Sequence, residues 1–339
     1  MKTHYFLFAG LLLLLALGAC SGSGPMGRNA TGLLYEIVVT TDQNSWNGAV
    51  GKAVKDELLA DVPGLPQSEP AFKITFAPPE QFNGLLTYVR NILIVKVDKS
   101  IYTKTTLTYE RDRWANDQLV LTLTAPDSGM VVSYLQKNPL YINGIFSKEE
   151  MNRMVKFLQK EYSTKDMQLL KKNHKVMLNA PASMTSFRDT TDFFWTSNQA
   201  NSGRMDIVVY TFPYTDPKTF TLEYLANKRD SVMKANIPGA FPDSYMTTER
   251  RFSLTYEPIT AYGQYCGVMR GLWQMHGDMM GGPFVSHIRL DKKNNRIVVA
   301  EGFVYAPETD KRNFIRRCEA SLYTLRLPEE FDKPVEKIK

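Results

Sequence analysis

The sequence predicts an α+β fold of two lobes, each an antiparallel sheet covered by helices. Three observations predict it. The runs Phe72–Phe76, Asn91–Asp98, Thr106–Arg113 and Gln118–Ala125 mix apolar with polar residues in strand fashion, as in sheets with one solvated face. Between the strand runs lie apolar stripes at helical spacing, such as Met151, Met154, Val155, Leu158 and Tyr162. Finally, three short strings recur in the same order, which reads as a duplicated unit. Glu36–Thr41 (EIVVTT) matches Asp206–Thr211 (DIVVYT), Val62–Gly64 matches Ile237–Gly239, and Ala125–Asp127 matches Ala306–Glu308.

Taken in order, residues 1–19 read as a signal peptide. Lys2 and His4 precede an apolar run from Tyr5 to Leu17, which is too short to span a bilayer but suits the core of a secretory signal. The run ends in Leu17-Gly18-Ala19-Cys20, which resembles the lipobox of bacterial lipoproteins, with Cys20 as the residue that becomes lipid-modified. A diacylglycerol plus an N-acyl chain anchors stably, at about 0.8 kcal/mol per buried methylene. Residues 20–32 then read as anchor and flexible tether, since SGSGPMGRNATG has no acidic or bulky residue. Lipoproteins exported to the surface of Bacteroidota usually carry acidic residues directly after the cysteine. Their lack here favours the periplasmic side of the outer membrane over the cell surface.

Residues 33–140 form the expected first lobe, with a helix over Ser45–Ala60 and a hairpin turn at Trp114–Asp117. Residues 141–203 are expected to bridge the lobes through a helix opened by a Ser147/Glu150 capping box. The second lobe spans 204–327, with Asp216 and Pro217 opening a helix and Lys292–Asn295 a tight turn. Residues 328–339 remain as a C-terminal tail. The net charge of +6 and a pI near 9.0 are compatible with anionic lipid or acidic glycan, and pairs such as Lys171-Lys172 and Arg316-Arg317 read as solvated faces.

With Cys20 assigned to lipid, Cys266 and Cys318 remain as a disulfide candidate in an oxidising compartment. The alternative is a pair of buried thiols acting as small hydrophobes. The stretch most suggestive of chemistry is GLWQMHGDMMGGPFVSHIRLD, residues 271–291. Its glycines, Pro283 and Asp278 all suit a turn between two strands. Met275, Met279 and Met280 could offer thioethers to Cu(I), but His276 and His287 are too far apart along the chain to share an ion simply. We therefore assign no metal and no cofactor, and keep Met275, His276, Asp278, Met279 and Met280 as a candidate binding loop. Trp46, Trp114, Trp195 and Trp273 are widely spaced and read as core more simply than as a sugar platform. Asp189-Thr190-Thr191 resembles the acceptor of Bacteroidota O-glycosylation, which makes Thr190 a candidate modification site.

Signatures of common hydrolases, zinc peptidases, P-loops and dinucleotide folds are absent from the sequence. Gly271–Trp273 (GLW), Met280–Ser286 (MGGPFVS), Glu301–Pro307 (EGFVYAP) and the basic helix from Lys311 resemble a family of Bacteroidota lipoproteins, domain of unknown function 4837. That resemblance implies an envelope lipoprotein and brings no catalytic residue. The expected function is a non-catalytic binding or scaffolding module that meets the membrane through its lipid and binds an envelope protein or glycan. No nucleic-acid partner is assigned. Two alternatives are a glycan or peptide hydrolase using carboxylates between the lobes, and a surface glycan-binding accessory.

Overall fold

The computed structural model describes residues 27–338; the expected signal peptide, Cys20 and the first part of the expected tether lie outside them. The fold is α+β, with two separate sheets. The described residues fall into two compact units. The first runs to Val54 and resumes over Ile74–Asn138, and the second comprises Lys55–Lys73 and everything from Pro139 onward.

Unit 1 holds β1 (Glu36–Thr40), α1 (Gln43–Asn47), the start of α2 (Ala49–Leu58), most of β2 (Lys73–Phe76), β3 (Asn91–Val97), β4 (Thr106–Arg111), β5 (Leu119–Ala125) and α3 (Ser128–Lys137). Its five strands are ordered β2-β1-β3-β5-β4. The expectation of an antiparallel sheet fails here, because β1 pairs parallel with β3 and β3 parallel with β5. The burial explains why. Ile37–Thr40 and Asn91–Val95 are buried without alternation, as strands covered on both faces must be. The edge strands are less covered: β4, the antiparallel edge, keeps a solvated face, and β2 at the other edge is partly exposed. The expected tether also ends early: Ala30 N donates to Asn116 O and Thr31 N to Tyr88 O, so residues 30 and 31 are held on the unit.

Unit 2 opens with α4 (Tyr141–Leu158), then α5 (Thr164–Leu169), which runs on as a π-helical turn, Leu170–His174. Its strands are β6 (Ser186–Asp189), β7 (Phe193–Ser197), β8 (Arg204–Pro213), β9 (Tyr245–Thr248), β10 (Thr255–Ala261), β11 (Gln264–His276), β12 (Gly281–Asp291) and β13 (Arg296–Tyr305). They form an antiparallel sheet ordered β10-β11-β12-β13-β8-β7-β6, with β9 paired to β11. Helix α6 (Leu222–Asn236) covers one face and α7 (Arg312–Leu322) the other. Val268, Val285, Ala300 and Ile207 meet Ile315, Cys318 and Leu322 under α7, while Met269, Phe284, Phe303 and Tyr210 meet Leu225 and Met233 under α6. Gly302 lets α7 approach closely, since any Cβ there would collide with Cys318. On the far side of α7, Ala320 packs against Met151, Val155 and Leu158 of α4.

The duplication is therefore not supported by the strands that suggested it. The first IVV strand, β1, pairs parallel with β3, whereas the second, β8, pairs antiparallel with β7 and β13. Helix caps differ too. Asp127 caps α3 by accepting from Met130 N at 2.9 Å, but Glu308 is exposed and the N-terminus of α7 is capped from elsewhere.

Residues 141–203 belong to unit 2, where β6 and β7 extend its sheet. Helix α4 starts before the expected Ser147, because its N-terminal amides have a remote cap. The Glu57 carboxylate accepts from the N–H groups of Leu140, Ile142 and Asn143 at 2.7–3.0 Å. Glu69 caps α7 in the same way, accepting from Lys311 N and Arg312 N at 2.8–3.0 Å. A negative charge on the free amides of a helix N-terminus satisfies them and matches the dipole. The expected tail is docked as well: Ile338 N donates to Asn152 Oδ1 at 2.8 Å, and Tyr262 N donates to Glu336 at 2.6 Å.

Candidate functional site

Cross-strand register settles residues 271–291 as a hairpin. Gln274 pairs with Gly281 across β11 and β12, leaving Met275–Met280 to close the turn. Gly277 takes φ +77, which favours glycine, and Asp278 Oδ1 accepts from Met279 N at 2.6 Å. Met275 is buried and its N–H donates to Met280 O at 2.8 Å, so the two close the turn between them. His276 stacks on Tyr245 with ring centroids 4.8 Å apart, while Met279 is fully exposed at the tip. The candidate loop thus divides into buried Met275, partly buried Asp278 and Met280, and exposed His276 and Met279. His287 lies inside the sheet on the α7 face, remote from His276. No group of three His, Cys, Asp or Glu side chains suited to a metal ion occurs among the described residues. Gly281 and Gly282 are not at positive φ; Gly282 is needed because a Cβ there would run into Val304 O. The same carbonyl accepts from Trp273 Nε1 at 3.2 Å.

The charged groups of unit 2 that sequence reading missed are mostly buried and paired. Under α6, the fully buried Arg229 and Glu301 form a fork: Nη2 donates to Oε1 at 2.7 Å and Nε to both oxygens at 3.0 Å. Ser286 Oγ donates to Glu301 at 2.7 Å, Arg229 Nη1 donates to Thr248 Oγ1 at 3.0 Å, and the guanidinium lies 3.8 Å over the Phe284 ring. Burial, reinforced by Glu301, pushes the nearby Tyr210 hydroxyl well above its ordinary pKa. Under α7, burial would raise the Glu319 carboxyl, but Arg270, 2.6 Å away, outweighs it and holds the pKa low. His287 packs its ring edge-on to Tyr323, 4.7 Å between centroids. Burial pushes its pKa down to about 4, against the pull of Glu319. Arg289 is clamped by Glu330 and by the carbonyls of Leu325 and Ala261.

At the sheet edge, the π-helical turn sets His174 against Asp189, with Nε2 and Oδ1 2.7 Å apart. Asn173 donates to the other Asp189 oxygen at 2.6 Å, and Arg296 donates to His174 O at 2.6 Å. These contacts fasten the turn to β6 and β13. A signal for Arg229 was available: it falls within the inner stripe Leu222, Leu225, Ala226, Arg229, Met233, where only a paired charge is tolerated. Glu301 likewise interrupts the apolar run of β13. Glu57 and Glu69 had no such signal, because their partners lie more than eighty residues away.

Cys266 and Cys318 are both free and buried. The expected disulfide is not formed, and the register shows why. Cys318 rests on Gly302 of β13, whereas Cys266 of β11 aligns through Arg289 with Val298 of β13. Two strand spacings and four residues along a strand put them roughly 16 Å apart. A bridge requires Cα atoms within ~7 Å. Burial raises the Cys266 thiol to about 12 and pushes Cys318 up further, so both behave as small hydrophobes. Thr190 is exposed in the β6–β7 turn, where its hydroxyl donates to Phe193 O at 3.0 Å. The tryptophans do not form an exposed row: Trp273 is buried, and Trp46, Trp114 and Trp195 are half-buried.

Two domain families match the chain. Residues 163–324 match a domain of unknown function (DUF4837), and residues 30–159 match a second domain of unknown function (DUF8532). The two family models differ, as do the two sheets they cover. No curated protein matches the chain.

Proposed function

We propose that this chain is a lipid-anchored, non-catalytic binding or scaffolding module of the cell envelope, attached through Cys20 to the outer membrane and facing the periplasm. The observation that carries the reading is Leu17-Gly18-Ala19-Cys20 directly after the apolar run Tyr5–Leu17. The neutral-to-basic stretch after Cys20 supports the periplasmic side. No described helix is long and apolar enough to cross a membrane, so the lipid is the attachment this reading requires. The buried chemistry of unit 2 favours binding over catalysis. Arg229, Glu301, Arg289 and Glu330 hold one another inside the core, and a general base must instead reach a substrate proton.

The test is fractionation of cells expressing the wild type and Cys20→Ser. The wild type should pellet with outer membranes after a high-salt wash and the variant should not. Protease treatment of intact cells should leave the wild type uncut. A variant that still pellets would overturn the anchor, and digestion of the wild type would overturn the periplasmic placement.

A further inference from the structure

Unit 1 contains a feature that none of this uses. In its open mixed sheet, whose inner strands β1, β3 and β5 are parallel, the chain leaving β1 returns as β2 on one side, while the chain leaving β3 crosses to β4 on the other. Adjacent parallel strands whose connections depart in opposite directions open a crevice at their carboxyl ends, where sheets of this kind bind ligands. Here β1 also stops short: Thr40 pairs with Ile94, whereas β3 continues to Val97.

The side chains at this edge are hydroxyls. Thr40 and Thr41, at the end of β1, are 4% and 2% exposed, and neither hydroxyl has a hydrogen-bond partner. Thr105 Oγ1 is a third buried hydroxyl without a partner. It precedes Thr106, which pairs with Thr124, so it stands at the carboxyl end of β5 on the same edge. Buried polar groups without partners are rare, and Thr40 and Thr41 at the end of β1, with Thr105 three strand spacings (roughly 14 Å) along the same sheet edge, are preformed donors and acceptors. Trp46 and Phe76, stacked at 4.4 Å, add an aromatic wall beside the ends of β1 and β2.

The hydroxyls, set among mixed charges, select the ligand class. Asp42, Asp98 and Asp127 follow β1, β3 and β5, each held by local hydrogen bonds to Ser45, Ser100 and Met130. Lys99 and Lys104, exposed in the β3–β4 connection at the same edge, offset two of these carboxylates, so no single sign of charge prevails there, and hydroxyls suit a ligand that both donates and accepts. We propose that the carboxyl edge of this sheet, centred on Thr40 and Thr41, binds a neutral saccharide. The proposal deepens the binding reading above and rests on it, but not on the anchor, which the Cys20→Ser fractionation tests by itself.

The experiment uses the detergent-solubilised full chain, with chitobiose and glucose as neutral probes and inorganic phosphate as the anionic one. Thermal shift and calorimetry are run on the wild type, Thr40→Val and Thr41→Val. Valine keeps the shape and deletes the hydroxyl. Without sugar, both variants should melt at or above the wild-type temperature, because an unsatisfied buried hydroxyl is replaced by a methyl. With a neutral probe at millimolar concentration the wild type should gain stability, and each variant should bind about 10-fold more weakly, the loss of one hydrogen bond. Lower melting of both variants without sugar would show that the hydroxyls already serve the fold, and would overturn the site. So would unchanged sugar affinity in the variants, binding of phosphate in preference, or no binding of either sugar to the wild type.

Discussion

Replacing Glu301 with Gln leaves the Arg229 guanidinium charged and fully buried, with only the longer Asp230 contact at 4.0 Å in place of its forked partner. The pair is joined by the forked contacts at 2.7 and 3.0 Å, and Glu301 also holds Ser286. Breaking a buried pair from one side costs about 3–5 kcal/mol, a large share of the ~5–15 kcal/mol that holds a typical domain. Arg229→Met should cost a similar amount by stranding Glu301. The double variant Arg229→Met with Glu301→Leu removes both charges and keeps apolar volume. It still strands the hydroxyls of Ser286 and Thr248, so about 2 kcal/mol is expected, less than either single change. Urea unfolding of the four proteins, analysed as a double-mutant cycle, measures this directly. If a single variant fails to fold while the double folds, the same conclusion holds. Single changes costing under about 1 kcal/mol, or a double variant costing their sum, would refute the view that this charge pair is a structural unit.

The remaining predictions concern caps, the hairpin and acid sensitivity. Glu57→Ala strips the cap from three amides of α4 and should cost about 2 kcal/mol by urea unfolding; a cost within a few tenths would contradict the capping role. Gly282→Ala should cost about 2 kcal/mol or more by driving a Cβ into Val304 O and disturbing the Trp273 bond, whereas His276→Ala should change stability by less than about 0.5 kcal/mol. The reverse ordering, or a metal-dependent rise in melting temperature lost in His276→Ala, would mean the turn is a ligand site. His287 has a folded pKa of about 4, below its unfolded value near 6.5, so the unfolded chain binds the extra proton between those values. Its contribution is complete above the unfolded pKa and is lost as pH falls toward about 4, amounting to about 2 kcal/mol between pH 7 and pH 5. His287→Leu should lose that much less over the same interval; equal acid sensitivity in both proteins would dispose of the assignment.

The sequence made unit 2 largely readable because antiparallel strands with short turns announce themselves locally. Lys292–Asn295, the turn expected over Gly277–Pro283 and the inner stripe of α6 all depend on neighbours in the chain, although the turn is shorter than expected, because Gly281, Gly282 and Pro283 already pair with β11. Unit 1 was harder, since Ile92–Val95 reads equally as half a strand face or as a strand covered on both sides, and only tertiary pairing decides. The repeat failed for the same reason: IVV is what any buried strand contains, so the match between β1 and β8 reported strand character rather than ancestry. Although Gly281, Gly282 and Pro283 proved to be strand residues, the candidate loop was legible through Gly277 and Asp278, which shape the turn locally. The caps by Glu57 and Glu69 and the clamp of Glu330 on Arg289 were not, because each joins residues distant in sequence through a single side chain.

The anchor is tested most directly by the mass of the mature N-terminal peptide, taken from protein purified out of membranes. A peptide that begins at Cys20 and carries a diacylglycerol and an amide-linked acyl chain is expected, and in Cys20→Ser that species should disappear. A mature chain that begins at another residue, or at Cys20 with no lipid, would contradict it.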